Sequence, residues 1–242
     1  MIDNLAFASE MANQLNMSNF QSLTPVMAEY AVAHATCGEQ VGSANLLADV
    51  FSTVQSTQYS VKMYRDKFVQ LYMLDVIKEE PEWTDFIIER RISGVSNPDK
   101  DAVQVFDEIL QDVYSNEQKS LNQYNVRSTK TVLVGFDEDE EYYYFRCTEV
   151  DFKYETPSTV KVKEFTEKSK NFKKHSSNIS NIVGYNKDGI DIYQWVHPNN
   201  STYTRCLKKR YNLKQEESFY FKIKKHSYQR PDESVLLGMI YF

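Results

Sequence analysis

Nine cations, Arg205, Lys208, Lys209, Arg210, Lys214, Lys222, Lys224, Lys225 and Arg230, fall within 26 residues near the end of the sequence, interrupted only by Glu216 and Glu217. Tyr203, Tyr211, Phe219, Tyr220, Phe221 and Tyr228 are interleaved with them. Cations that hold phosphates beside rings on which bases stack are the chemistry of single-strand nucleic-acid binding. Along Phe219 to Lys225, side-chain alternation on a strand puts Phe219, Phe221 and Ile223 on one face and Tyr220, Lys222 and Lys224 on the other. Arg205, Lys208, Lys209, Arg210, Lys222 and Lys224 are therefore the candidate polyanion contacts. A second cluster, Lys161, Lys163, Lys168, Lys170, Lys173 and Lys174, lies upstream. The competing reading is a half-buried strand with a solvated basic face, as antiparallel sheets commonly have. The net charge of -6 over the whole chain also weighs against a dedicated nucleic-acid binder.

The acids concentrate elsewhere. No Lys or Arg precedes Lys62, and Glu79, Glu80, Glu82, Asp85 and Glu89 crowd one junction. That junction could receive a basic partner or the basic part of a second copy, in a head-to-tail contact. Tyr142-Tyr143-Tyr144-Phe145 sends rings to both faces of a strand, so one face is core and the other needs cover. The end of the chain, Val235 to Phe242, raises the same question. Tyr142, Tyr144, Tyr220, Tyr241, Phe242, Glu79, Glu80 and Glu82 are the candidate interface residues, with aromatics as the expected anchors.

Other constellations fall short of a chemistry. His34-x-x-Cys37 has ligand types at a metal-compatible spacing but no second pair to complete a zinc site. The acidic run Asp137 to Glu141 lacks the glycine and the distant bidentate glutamate of a calcium loop. His175, His197 and His226 are scattered. No phosphate loop, dinucleotide fingerprint, nucleophile elbow or His-Glu-x-x-His motif occurs, and 7 glycines leave little material for a nucleotide cradle. The expectation is a non-enzymatic protein without cofactor or metal. An enzyme would need a non-local site between two units, lined by groups such as Glu149, His197 or His226.

The elements that would position these residues change character near Val126. Residues 1–126 hold 8 Lys/Arg against 18 Asp/Glu, and residues 127–242 hold 20 against 16. Before the break, Thr24-Pro25 reads as a helix start and Gly38 as its stop. Further helices are expected over Ala44 to Gln55, Tyr59 to Glu80 (with Val61, Tyr64, Phe68, Leu71, Tyr72 and Val76 as its apolar stripe), Glu82 to Ile92, and Asn97-Pro98 to Ser120. After it, β-branched and aromatic runs predict strands over 129–136, 141–150, 160–165, 182–185, 190–196, 202–207, 218–225 and 235–241, with a mobile loop at 167–180. Asn186-Lys187-Asp188-Gly189 is a strong hairpin signal. The expected architecture is α+β: an acidic helical bundle over 1–126, then a basic, aromatic antiparallel β barrel or sandwich over 127–242.

Cys37, Cys147 and Cys206 are too few and too dispersed for a disulfide framework, which fits a reducing compartment. No signal-peptide pattern opens the sequence and no window approaches the ~18 apolar residues of a spanning helix. The chain is expected to be soluble and intracellular. Its preferred role on this reading is a structural or assembly subunit of a larger complex, such as a phage or viral particle, working through protein contacts or self-association. Nucleic-acid or polyanion binding is the alternative.

Overall fold

The computed structural model of the chain describes residues 1–18, 22–41, 48–65, 82–84, 90–92, 102–152, 155–164, 179–196, 205–209, 211–213 and 218–225. They fall into two compact units. One comprises 1–82, 116–152 and 213–242, the other 83–115 and 153–212.

The first unit is built on a six-stranded mixed sheet in the order β1 (Glu39–Gln40), β2 (Val50–Ser52), β3 (Thr57–Arg65), β6 (Ser128–Glu138), β7 (Tyr142–Asp151) and β13 (Ser218–Lys224). All neighbours are antiparallel except β3 and β6, which run parallel from Thr57↔Ser128 to Arg65↔Phe136. On one face, helices α1 (Asn4–Met17) and α2 (Pro25–Ala35) bury Phe7, Met11, Leu15, Ala28 and Val32 with Tyr59, Val61, Val132, Val134, Phe145 and Phe221. Phe221 stacks on Phe145 at 4.9 Å and meets Phe7 edge-on at 5.9 Å. Each such ring contributes about 1.5–3 kcal/mol by leaving water. Asp3 opens α1 by accepting the Leu5 and Ala6 N–H groups, and Pro25 takes the first turn of α2, where its missing N–H costs nothing. On the other face, the last turns of α3 (Ala102–Tyr124) lie over β2, β3 and β6. Ser120 hydroxyl donates to Gln58 Oε1, Gln58 Nε2 donates to Thr129, and Tyr124 stacks on Phe51 at 4.4 Å.

The second unit carries a five-stranded antiparallel sheet in the order β5 (Arg90–Ile92), β11 (Arg205–Lys209), β10 (Asp191–Val196), β9 (Ile179–Tyr185) and β8 (Thr159–Glu164). The β9–β10 turn has Gly189 at φ +78°, and Asn186 Oδ1 accepts from both Asp188 and Ile190 N–H. This is the turn its sequence predicts. A two-stranded sheet joins β4 (Glu82–Thr84) and β12 (Tyr211–Leu213).

The α+β class holds, but the helical bundle does not. Three helices are present among the described residues, and the first half contributes five strands. Of the helix expected over Ala44 to Gln55, the described residues 48–55 form β2 and a tight turn, and of the one expected over Tyr59 to Glu80, the described residues 59–65 belong to β3, the rest of both lying outside the described residues. Both misreadings have a physical cause. β3 is buried from Thr57 to Val61 without alternation, because α1 and α2 cover one face and α3 the other. Val61 and Tyr64 then look like a helical stripe, although as strand residues three apart they point to opposite faces. The β2–β3 turn has Ser56 at φ +51° where a glycine would have announced it. The expected helix over Glu82 to Ile92 holds two three-residue strands, β4 and β5. The barrel also fails, since neither large sheet closes on itself among the described residues. No described helix is long and apolar enough to cross a membrane.

Candidate polyanion-binding face

The site is built on β7 and β13. The acidic run after β6 makes their approach possible. Asp139 Oδ1 accepts the Glu141 and Tyr142 N–H groups, and Asp139 Oδ2 accepts the Tyr144 hydroxyl at 2.7 Å, so the chain turns tightly into β7. Burial works to raise the Asp139 carboxyl pKa, but these bonds and the nearby Lys225 charge outweigh it and hold the group below the ordinary carboxylate value. The same environment pushes the Tyr144 phenol upward, through burial first and then through Asp139. Lys225 closes the other end of the turn, donating to Glu138 Oε2 and to the Asp139 carbonyl, both at 2.7 Å.

The β7–β13 register aligns Lys224 with Tyr142, Lys222 with Tyr144 and Tyr220 with Arg146. Tyr143, Phe145, Cys147, Phe219, Phe221 and Ile223 turn toward the helices α1 and α2. Tyr142, Tyr144, Arg146, Tyr220, Lys222 and Lys224 consequently share the opposite face. There the Lys222 ammonium lies 4.4 Å from the Tyr142 ring centroid, Tyr142 and Tyr144 are 6.1 Å apart, and the Arg146 guanidinium is 5.7 Å from the Tyr220 ring. Lys224 is exposed, whereas Arg146 is only 1% exposed, with its Nε donating to Ser218 Oγ at 3.1 Å. The ring quadrupole holds each cation over its tyrosine and so fixes where the positive charge sits on this face.

Of the expected polyanion contacts, the structure thus brings Lys222 and Lys224 together with Tyr142, Tyr144 and Tyr220. It adds Arg146, which sequence reasoning missed although it stands four residues after Tyr142 and alternation alone places it on that face. Arg205, Lys208 and Lys209 belong to β11, in the other unit's sheet. Lys209, opposite Tyr193, differs from a solvated surface cation: burial lowers its ammonium pKa to about 8 against the opposing pull of Glu155. Glu82 lies in β4. Arg210, Glu79, Glu80, Tyr241 and Phe242 lie outside the described residues, as do His175, His197, His226 and the strand expected over 235–241. Comparison with protein-family models, with curated proteins and with solved structures returned no match.

Proposed function

We propose that this chain binds a nucleic acid through the β7–β13 face. The observation that carries the reading is the register that sets Lys222 and Lys224 among Tyr142, Tyr144 and Tyr220, with Arg146 beneath, on the side of the sheet turned away from the α1–α2 core. Phosphates would meet the lysines and bases the tyrosine rings, a pairing of charge and stacking that tolerates any sequence. Asp137, opposite Tyr144 on β6, limits the positive field at one end and so favours a ligand lying along β13.

The test is the salt dependence of binding, read as fluorescence anisotropy of labelled single-stranded and duplex oligonucleotides. Log affinity should fall linearly with log salt, and Lys222→Ser with Lys224→Ser should weaken binding and reduce the slope by about 2, one for each phosphate-binding cation removed. Binding that is absent, or insensitive both to salt and to this double substitution, overturns the reading. A salt-sensitive oligomer free of nucleic acid would instead return the same tyrosines to the assembly role.

A further inference from the structure

The six-stranded sheet ends differently on its two sides. On one, β1 is two residues long and β2 three, so β3 runs on past them. There the next outward amide, that of Val61, is taken by a side chain: Asp49 Oδ2 accepts it at 2.7 Å, and the Lys62 ammonium holds the same oxygen at 3.1 Å. A bare strand edge is a template for another strand, and a side-chain cap of this kind closes it. On the other side the sheet ends, among the described residues, at β13, which is seven residues long.

Two backbone hydrogen bonds fix which groups of β13 look outward. The Lys225 N–H donates to the Glu141 carbonyl at 2.6 Å, and the Asp139 N–H donates to the Tyr142 carbonyl at 3.1 Å. Glu141 therefore faces β13 while Tyr142 faces β6. Successive residues of a strand send their N–H and C=O groups to opposite sides, so Ile223 and Lys225 turn theirs to β7, and Lys222 and Lys224 turn theirs away from it. Neither Lys222 nor Lys224 uses these outward groups in a hydrogen bond among the described residues. The edge thus offers two N–H donors and two C=O acceptors in alternation. The side chains beside them narrow what fits. On one side of the sheet Lys224 is exposed and Lys222 lies over the Tyr142 ring. On the other, Phe219 stays partly exposed at the end of the apolar row that Phe221 and Ile223 continue. Lysines on an edge ordinarily guard it against pairing. The guard is selective by charge. A second copy that pairs antiparallel about Ile223 sets Lys222 against Lys224, which destabilises the pair, whereas carboxylates opposite the same lysines stabilise it.

We propose that the β13 edge is a docking site for an extended acidic segment of a partner protein, one whose residues alternate between acidic and apolar. Paired with Lys222 and Lys224, such a strand engages the four backbone groups, sets its carboxylates opposite the two ammonium groups and lays its apolar side chains beside Phe219. The backbone bonds supply affinity and the alternate side chains specificity, as in strand addition generally. A nucleic acid on the β7–β13 face meets the tyrosine rings above the sheet, whereas the peptide meets the backbone in its plane. The two ligands share the lysines and compete through them, but neither reading requires the other.

The experiment uses the full chain and short fluorescein-labelled peptides: alternating Glu and Val, alternating Lys and Val, and two forms of the Glu–Val peptide with N-methyl groups on the Glu amides or on the Val amides. Binding is read as fluorescence anisotropy, and amide hydrogen exchange reports on Lys222 and Lys224. Carboxylates set opposite the lysines place the Glu amides toward the edge. The Glu–Val peptide and its Val-methylated form should therefore bind and slow exchange at both lysines, while the Glu-methylated and Lys–Val peptides should not. Lys222→Ser and Lys224→Ser should each weaken the Glu–Val peptide by roughly 2- to 5-fold, the strength of an exposed ion pair. Lys222→Glu with Lys224→Glu should transfer the preference to the Lys–Val peptide, with the melting temperature checking that the fold is kept. Equal binding of the two methylated forms overturns strand docking, because charge alone does not distinguish them. Absence of peptide binding overturns it too, and oligonucleotide binding in the same samples then leaves the β7–β13 face standing. Exchange protection at Lys222 and Lys224 that rises with protein concentration alone assigns the edge to a second copy and overturns the acidic partner.

Discussion

Cys147 and Cys37 show how far a residue's place in the fold, rather than its type, sets its chemistry. Cys147 sits on β7 against the α1–α2 core, where burial first and the Glu149 charge second push its thiol up to about 12. A thiol that high carries almost no thiolate near neutral pH, and the thiolate is the reactive form. Cys37 is exposed just past the end of α2, at φ +48°. Brief alkylation of the native chain should therefore label Cys37 and leave Cys147 untouched until denaturant is added, a difference that peptide mass spectrometry resolves. Equal labelling of both would mean that β7 does not pack as described. Neither environment was legible in the sequence, which showed only the wide spacing of the three cysteines. Lys62 was similarly visible as the first cation of the chain, but its partner Asp49 was not. The two meet only because β2 and β3 form a hairpin, and reading both segments as helices hid that pairing.

Among elements, legibility followed burial. The strands after Val126 that have one wet or partly wet face, such as β7 and β13, alternate visibly and were placed within a residue or two. β3, covered on both sides, was not. The α2 terminus was legible because it depends on backbone sterics: Gly38 donates its N–H to the Ala33 carbonyl at 2.8 Å, and a Cβ there would lie 2.6 Å from the Phe51 carbonyl oxygen. This tight passage sets the spacing between α2 and the β1–β2 hairpin, and so between Glu29 and Gln40. Gly38→Ala should destabilise the chain by about 1–3 kcal/mol, because a backbone oxygen cannot swing aside as a side chain can. With roughly 2–4 °C per kcal/mol for a chain of this size, the melting temperature should fall by several degrees. An unchanged melting temperature would show that α2 and β2 are more loosely joined than the 2.6 Å approach implies.

For the whole molecule, the change in charge and composition near Val126 is real in the sequence, yet the main sheet of the first unit runs straight across it. β3 comes from before the break and β6 from after, and they pair in parallel over nine residues. Parallel neighbours need a long crossover, which here includes α3, and such pairing leaves no hairpin signature in the sequence. The apolar face that α1 and α2 cover is also shared: Tyr59 and Val61 come from one side of the break, and Val132, Val134, Phe145 and Phe221 from the other. A fragment of residues 1–126 would keep its helices but lose half the surface they bury, while 127–242 would expose the same rings to water. Each fragment expressed alone should lack a cooperative thermal transition and the dispersed amide spectrum of a packed sheet, and mixing them should restore both. If residues 1–126 alone unfold cooperatively, the helices have a core of their own and the compositional break marks a folding boundary. If only the mixture does, the acidic and basic halves are two parts of one sheet, and β3 depends on β6 for its position.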